Sequence, residues 1–223
     1  MSEAEITNVY RHEPPSSVRA KQLVILLHGL GSNGRDLISL APLWAQALPE
    51  CAFVSPDAPF PCDMVPPGYP ESYQWFSLQD RDPDKMLQGV RIAAPILERF
   101  IAEQIEAYNV PPEKCVLAGF SQGTMMSLYE GPRYPQALGG ILGYSGALIG
   151  GEALGGEGIC KVPVHLIHGE ADDVVPVEAY HMARAALEGA EFKVSGHTTP
   201  GLAHGIDQEG IESGAAFLKA VLG

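Results

Sequence analysis

A serine between two glycines is the first feature of the sequence that could carry out chemistry. Residues 119–123, GFSQG, fit the pattern G-x-S-x-G, with an apolar segment before them and a segment of helical period after them. This pattern forms a sharp turn from a strand into a helix and exposes the serine hydroxyl, and a Cβ atom on either glycine would clash there. The pentapeptide alone arises by chance in glycine-rich chains, so its context carries the prediction that Ser121 is a nucleophile.

A serine hydroxyl needs a general base, and the base needs a carboxylate that fixes its tautomer. In chains with this type of turn, the acid follows a later strand and the histidine precedes the last helix. The segment LIHGEADDVVP supplies Asp172 after an apolar run, and TPGLAHGIDQEG places His204 before the final helical segment. The order therefore predicts Ser121, Asp172 and His204 as nucleophile, acid and base.

Order alone leaves the acid open, because Asp173 is adjacent to Asp172 and Glu170 is close by. Only one of these carboxylates can face the imidazole. His28 follows the first strong strand, near the expected site, but it precedes the serine and does not fit the base. Structural roles are more common for the remaining histidines, which fall on a terminal segment, in strands or on a helix: His12, His165, His168, His181 and His197.

Acyl transfer also needs two backbone N–H groups that stabilise the oxyanion of the tetrahedral intermediate. The residue after the nucleophile, Gln122, supplies one of them. The second is expected from the glycine-rich segment LLHGLGSNGRDL, where Leu30 is the predicted donor. Residues 29–34 also fit the bare spacing G-x-G-x-x-G, but no acidic residue ends a second strand about 20 residues further on, so a dinucleotide site is the weaker interpretation.

The composition excludes several classes of function. The chain has 223 residues, 27 of them acidic and 14 basic, and its net charge of −13 provides no cationic surface for nucleic acid or anionic lipid. The four cysteines lack the C-x-x-C spacing of a zinc or redox site, and serine chemistry requires no metal or cofactor. No apolar run approaches the ~20 residues of a membrane span, and the N-terminal residues lack signal-peptide features, so we expect a cytoplasmic protein without stable membrane insertion.

Short apolar runs alternate with longer segments of helical period, which predicts an α/β fold: a mostly parallel central sheet with helices on both faces. At this length we expect one domain over residues 1–223. The predicted strands cover 23–28, 51–55, 114–120, 138–145, 162–169 and 191–197, and a weaker alternating segment, 5–13, predicts an antiparallel edge strand. The predicted helices cover 36–48, 84–109, 122–130, 177–188 and 208–222, with Pro95 kinking or dividing the second one.

The longest stretch without a clear pattern, residues 56–83, contains Tyr69, Tyr73, Trp75 and Phe76. Aromatic side chains favour burial, which argues for an ordered loop. We expect this loop to lie over the sheet and to wall a pocket. A packed surface loop with its own small cluster is the alternative, and the two interpretations carry equal weight.

Six separated segments, LLHGLGSNGRDL, PDAPF, YQWFSL, LAGFSQGTMMSL, HGEADDVVP and GLAHGID, occur in the order in which similar segments occur in the phospholipase/carboxylesterase family. This family includes the acyl-protein thioesterases, and the resemblance covers nearly all of the chain from residue 23 onward. It implies an α/β-hydrolase fold without a large cap domain. The sequence departs from the pattern at Asp173, where thioesterase members often have proline.

The resemblance also assigns residues. The family's H-G-x-x-D-x-x-V-P segment places the acid on Asp172, and its G-x-x-H segment places the base on His204. Its oxyanion donors correspond to Leu30 and Gln122. A Trp-Phe pair that lines the acyl side of the family's site corresponds to Trp75 and Phe76.

The predicted function is a serine carboxylesterase that hydrolyses esters with short to medium acyl groups through an acyl-enzyme on Ser121. The alternative enzyme is an acyl-protein thioesterase or lysophospholipase that acts on long-chain acyl groups. A binding protein on a hydrolase scaffold would have no physical reason to keep all the catalytic groups. The expected partner is a small ester or thioester, and the oligomeric state is open between monomer and homodimer.

Overall fold

A seven-stranded sheet lies at the centre of the computed structural model, which describes residues 4–66, 69 and 71–223. Residues 67, 68 and 70 of the predicted loop lie outside the described residues. The strands follow the order β1-β3-β2-β6-β7-β8-β9, in which only β1 runs antiparallel to its neighbour β3. The strand bounds are β1 Val9–His12, β2 Gln22–Leu27, β3 Cys51–Pro56, β6 Cys115–Phe120, β7 Gly140–Tyr144, β8 Val164–Gly169 and β9 Val194–Thr199.

The predicted fold class is confirmed by this sheet and by the helices on its two faces. Successive side chains of a strand point to opposite faces, and β2 follows this period. Leu23, Ile25 and Leu27 pack in a core with residues of the three helices that cover one face, whereas Val24 and Leu26 pack with residues of the helices on the other face. Both faces of β2 are therefore excluded from solvent, as expected for a parallel sheet with helices on each side.

In the part of the chain that the structure describes, six helices cover the sheet. The first face carries α3 Pro83–Tyr108, α4 Gln122–Glu130 and α5 Glu178–Gly189, and the second carries α1 Gly34–Leu37, α2 Ala41–Ala45 and α6 Gln208–Leu222. Short 3-10 turns occupy Ile38–Leu40, Pro112–Lys114 and Gly151–Ala153. No helix in the described ranges combines the length and the apolar character that crossing a bilayer requires.

Two helical predictions differ from the structure in instructive ways. The predicted helix over 36–48 is interrupted by the 3-10 turn between α1 and α2, and Pro42, in the first turn of α2, lacks the N–H that a continuous helix would use. At Pro95 the predicted division of the helix is wrong, because α3 is continuous from Pro83 to Tyr108, whereas the alternative, a kink, stays a prediction. Pro95 is exposed, so water can bond the backbone carbonyl that the proline ring leaves without a donor.

The long segment before α3 contains two short strands, β4 Phe60–Pro61 and β5 Tyr73–Gln74, which pair antiparallel as a separate ladder. β5 also fastens the glycine-rich segment after β2, because the N–H of Gly31 donates to the carbonyl of Tyr73 and the N–H of Tyr73 donates to the carbonyl of Ser32. β5 therefore holds the glycine-rich loop at the carboxyl end of β2 in place through two backbone hydrogen bonds.

The strand order brings β2 and β6 together, although β3 to β5 lie between them in the chain. The sheet grows in one direction from β2 to β3 and in the other from β6 onward. In open parallel sheets, ligands bind at the carboxyl ends of the strands where this direction changes. The residues that directly follow β2 and β6 therefore meet at the expected position of a binding site.

Candidate active site

Ser121 lies at the turn between β6 and α4. Its backbone has φ of 53° and ψ of −115°, a conformation that residues other than glycine rarely adopt. Such a conformation costs on the order of 1–3 kcal/mol and persists only where the surrounding structure enforces it. The N–H of Ser121 donates to the carbonyl of Tyr144 on the neighbouring strand β7. The serine is 8% exposed. It is the N-cap residue of α4, a helix whose residues are all buried.

The two glycines of the motif are required by close backbone contacts. A Cβ atom on Gly119 would lie 2.4 Å from the backbone of Gly123, and a Cβ atom on Gly123 would lie 1.7 Å from the carbonyl oxygen of Leu27 in β2. α4 therefore begins directly against the first parallel strand. These close contacts leave no room for a side chain at either position, which accounts for the two glycines of the G-x-S-x-G pattern.

His204 and Asp172 form a short hydrogen bond, with 2.7 Å between Nδ1 of the imidazole and Oδ2 of the carboxylate. His204 lies in the loop between β9 and α6, and Asp172 lies in the loop after β8. The side chain of Asp172 is fully buried, whereas that of His204 keeps 18% of its surface exposed. Asp173, the alternative acid, is exposed. The structure thus brings the predicted acid and the predicted base together.

The carboxyl of Asp172 is held in its charged form. Burial raises its pKa, but the hydrogen bond from His204 and two more from the backbone N–H groups of Val175 and Val174 outweigh burial, so the pKa lies below the ordinary value. A charged carboxylate only accepts hydrogen bonds, so Nδ1 of His204 carries the proton and Nε2 is left unprotonated. This is the tautomer that can take a proton from a serine.

A cavity of about 410 Å³ is lined by both Ser121 and His204. Its remaining lining is mostly apolar and comes from the loops after β2, β5, β7 and β8, from the end of β6 and from α3, α4 and α5: Gly29, Leu30, Leu78, Met86, Phe120, Met125, Ala147, Val174, Val175, Pro176 and Ala179. Its polar members are Ser32, Asp36 and Arg81. Such a volume lies near the lower end of the roughly 300–1,000 Å³ of small-molecule sites.

The predicted oxyanion donors lie just after β6 and β2, and a Cβ atom on Gly29, the neighbour of Leu30, would lie 3.3 Å from Cβ of Ser121. Gln122 is the first residue of α4, and Leu30 follows β2 and lines the cavity. Within the described residues, neither backbone N–H has a hydrogen-bond acceptor. Free N–H groups beside a nucleophile can bind a developing negative charge.

Trp75 and Phe76, predicted to line the acyl side, lie in the core instead of on the cavity surface. Their exposed fractions are 0% and 3%, and neither is among the described cavity-lining residues. Their backbone groups bond the side chain of Gln122: its Oε1 accepts from the N–H of Trp75, and its Nε2 donates to the carbonyl of Phe76. The pair therefore fixes the side chain of Gln122, the first residue of α4.

The predicted wall of the pocket is supplied by the later part of the 56–83 segment, through Leu78 and Arg81. Two further features of the site were not predicted from the sequence. Phe120 packs on the base, with 4.8 Å between its ring centre and that of His204. Residues 174–176 form part of the cavity wall.

His28 and His168 also lie near the site, and both are buried. Nδ1 of His28 donates to the carbonyl of Gly29 and Nε2 accepts from the N–H of Ala58, which fixes a neutral ring. Burial lowers the pKa of His28 accordingly. Among the described residues, no three His, Cys, Asp or Glu side chains are grouped so that they could hold a metal ion.

A strained serine after a central parallel strand, with a histidine and a buried carboxylate from later loops, places the molecule among the α/β-hydrolases. The profile of the family described as Phospholipase/Carboxylesterase matches residues 14–222, and the chain belongs to this family. It is accordingly a hydrolase of carboxylic esters.

Individual relatives agree with this assignment. Acyl-protein thioesterase 1 of Gibberella zeae is 30% identical over 227 residues, which cover 93% of this chain and 94% of the relative. A probable carboxylesterase of Oryza sativa subsp. japonica is 30% identical, covering 92% of this chain and 79% of the relative. The crystal structure of esterase PE8 superposes with a TM-score of 0.89 at 38% identity, covering 98% of this chain and all of the other.

Proposed function

We propose that this enzyme hydrolyses carboxylic esters with short to medium acyl groups through an acyl-enzyme on Ser121. The observation that carries the proposal is the 2.7 Å hydrogen bond between His204 and the buried Asp172, on an imidazole that lines the same cavity as Ser121. Nε2 of His204 accepts the proton of the Ser121 hydroxyl as Oγ attacks the ester carbonyl. Asp172 keeps the imidazole in the required tautomer and stabilises the imidazolium.

In the next step, the N–H groups of Leu30 and Gln122 hold the oxyanion of the tetrahedral intermediate. Collapse of the intermediate breaks the bond to the leaving oxygen, which takes the proton from His204 and departs as the alcohol. Water then attacks the acyl-enzyme with His204 again as base, and the acid is released as Ser121 regains its proton. No metal or cofactor takes part in this sequence.

The acyl-chain preference is proposed from the size and lining of the cavity. Its volume of about 410 Å³ has to hold both the acyl group and part of the alcohol. Apolar side chains such as Met86, Met125 and Ala179 favour an alkyl chain over a polar one. A long chain would need to extend beyond the cavity, which has an open mouth.

The test is hydrolysis of p-nitrophenyl esters from acetyl to palmitoyl by the purified protein. We expect kcat/KM to be highest between acetyl and octanoyl and to fall towards palmitoyl, because chains that outgrow the cavity gain no further apolar contact. A steady rise to palmitoyl would overturn the preference and favour the second candidate, an acyl-protein thioesterase or lysophospholipase. That candidate is supported by the thioesterase relative, and a palmitoyl thioester tests it directly.

Three further proposals concern the whole protein. We propose that residues 1–223 form one domain, because a single sheet contains strands from residue 9 to residue 199 and α6 packs on it.

A cytoplasmic location is supported by the four cysteines, all of which are free thiols. The net charge of −13 argues against nucleic acid as a partner, and light scattering will distinguish a monomer from a homodimer.

A further inference from the structure

The active-site cavity has two chemically different ends. At one end, Ser32 donates a 2.8 Å hydrogen bond to the carboxylate of Asp36, and Asp36 also faces a neighbouring groove lined by Ser39 and Leu40. The other end lies between α3, α4 and α5, where the lining is apolar. Arg81 belongs to this second end, since its Nη1 lies 3.5 Å from the carbonyl oxygen of Val174 on the opposite wall.

The guanidinium of Arg81 has no carboxylate partner within 4.0 Å among the described residues. Its chain neighbours are acidic, but each is engaged elsewhere: Asp80 accepts from the N–H of Asp82, and Asp82 caps α3 by accepting from the N–H groups of Asp84 and Lys85. An arginine carries five N–H donors in a planar fork that matches a carboxylate. Most of these donors are available to a ligand.

We propose that Arg81 selects esters whose acyl chain ends in a carboxylate, such as half-esters of dicarboxylic acids. The alkyl part of such a chain lies along the apolar end of the cavity, and its terminal carboxylate meets Arg81 at the rim. Arg81 is the only cationic side chain among the described cavity-lining residues, so in a chain of net charge −13 it marks the place where an anion is accepted. This inference rests on the proposed ester hydrolysis at Ser121.

The experiment compares p-nitrophenyl hexanoate with the mono-p-nitrophenyl ester of adipic acid, which has the same chain length and a terminal carboxylate. We expect Arg81→Gln to lower kcat/KM for the charged ester by about 5- to 10-fold, mainly through KM, and to change the neutral ester by less than about 2-fold. Arg81→Lys should lie between the two. Arg91→Gln, an exposed residue of α3 outside the cavity lining, removes the same charge and should leave the ratio of the two esters unchanged.

An unchanged ratio in Arg81→Gln would overturn the inference while leaving the hydrolase assignment intact. An equal loss in Arg91→Gln would also overturn it, because net charge and not the position of Arg81 would then set the preference. Failure of the unaltered enzyme to cleave even the neutral ester would instead contradict the proposed catalytic function.

A second inference comes from a separate observation, the position of His168 behind the catalytic acid. His168 lies in β8 and is 2% exposed. Its Nε2 lies 2.7 Å from the carbonyl oxygen of Val175 and 3.4 Å from Oδ2 of Asp172, the same oxygen that accepts from His204. A carbonyl only accepts hydrogen bonds, so Nε2 of His168 carries a proton and faces the carboxylate.

The geometry points to His168 as a positioning residue that ties the loop of residues 172–175 to β8 and withdraws part of the negative charge of Asp172 from His204. The titratable groups that face His168 are Asp172 on this loop and Tyr180 on α5, with 6.4 Å between the two ring centres in the latter pair. Oδ2 of Asp172 thus lies within 3.4 Å of ring nitrogens of both His168 and His204. Removal of the His168 donor should therefore strengthen the attraction between Asp172 and protonated His204.

The test is the pH dependence of kcat/KM. In His168→Leu we expect the acid limb to move to higher pH by about 0.5 unit, since His204 then holds its proton more strongly. His168→Gln, whose amide offers a donor near the position of Nε2, should bring the limb back towards that of the unaltered enzyme. Loss of activity in both variants with an unmoved acid limb would overturn the inference and leave His168 a packing residue, and so would a shift in His168→Gln as large as that in His168→Leu.

Discussion

Ser121→Ala is expected to lower kcat for any ester substrate by about 10⁴- to 10⁶-fold, the size of effect that removal of a triad nucleophile has in other serine hydrolases. The change deletes the attacking oxygen and leaves the backbone turn, the free N–H groups and the His204–Asp172 pair in place. Alanine also tolerates the position about as well as serine, because both carry a Cβ atom in the same strained conformation. The variant should therefore fold and still bind substrate.

A matched control comes from Ser145, another buried serine with a positive φ, 48°, which directly follows β7. Ser145→Ala should keep activity within about 5-fold, since its hydroxyl does not line the cavity. A fluorophosphonate probe should label the unaltered protein and Ser145→Ala at Ser121, as read by peptide mass, and should not label Ser121→Ala. Undiminished ester hydrolysis by folded Ser121→Ala would show that another group is the nucleophile.

The main strands and the helices α4 and α6 were the most predictable elements from the sequence. The bounds predicted for α4 and α6 match the structure, and the six main strands appear within a few residues of their predicted positions. Strong apolar runs and clear helical periods specify these elements locally. At the turn before α4, the glycines are required by a tertiary contact, the close approach of Gly123 to Leu27. The sequence motif therefore indicated a contact between two elements that are distant in the chain.

The substrate side of the site was less predictable, because it is assembled from segments that only the fold brings together. Val174 and Arg81 are 93 positions apart, and nothing in either segment indicates that they face each other across a cavity. Trp75 and Phe76 are an aromatic pair in a long loop, a pattern that fits a pocket wall and a core equally well. The pair is buried, and its backbone groups bond the side chain of Gln122, a tertiary contact that the local sequence does not indicate.

The choice between Asp172 and Asp173 also illustrates this limit. Both are aspartates in the same turn, and the spacing of the motif alone does not separate them. The difference is one of orientation: one carboxylate turns inward to three donors, and the other remains in solvent. Side-chain orientation in a loop depends on the strands around it, here β8 and β9.

Asp172→Asn is the second variant with a large expected effect, a fall in kcat of about 10⁴-fold at neutral pH. Oδ1 of Asp172 accepts from the N–H groups of Val174 and Val175, and the asparagine oxygen can keep both bonds. Its amide NH₂ then faces Nδ1 of His204, which must become an acceptor. The proton moves to Nε2, and the imidazole can no longer accept the proton of Ser121.

The neighbouring variant Asp173→Asn removes the same charge from an exposed side chain and should change kcat by less than about 3-fold. Because the pKa of Asp172 lies below its ordinary value, this carboxyl stays charged down to a lower pH than an unpaired aspartate. The charged form of Asp172 also stabilises the fold above the pKa of the unfolded chain, and this stabilisation is lost as the pH falls through the folded pKa. If Asp173→Asn were the variant that lost activity, the orienting acid would be Asp173, and the buried contact between Asp172 and His204 would serve only the fold.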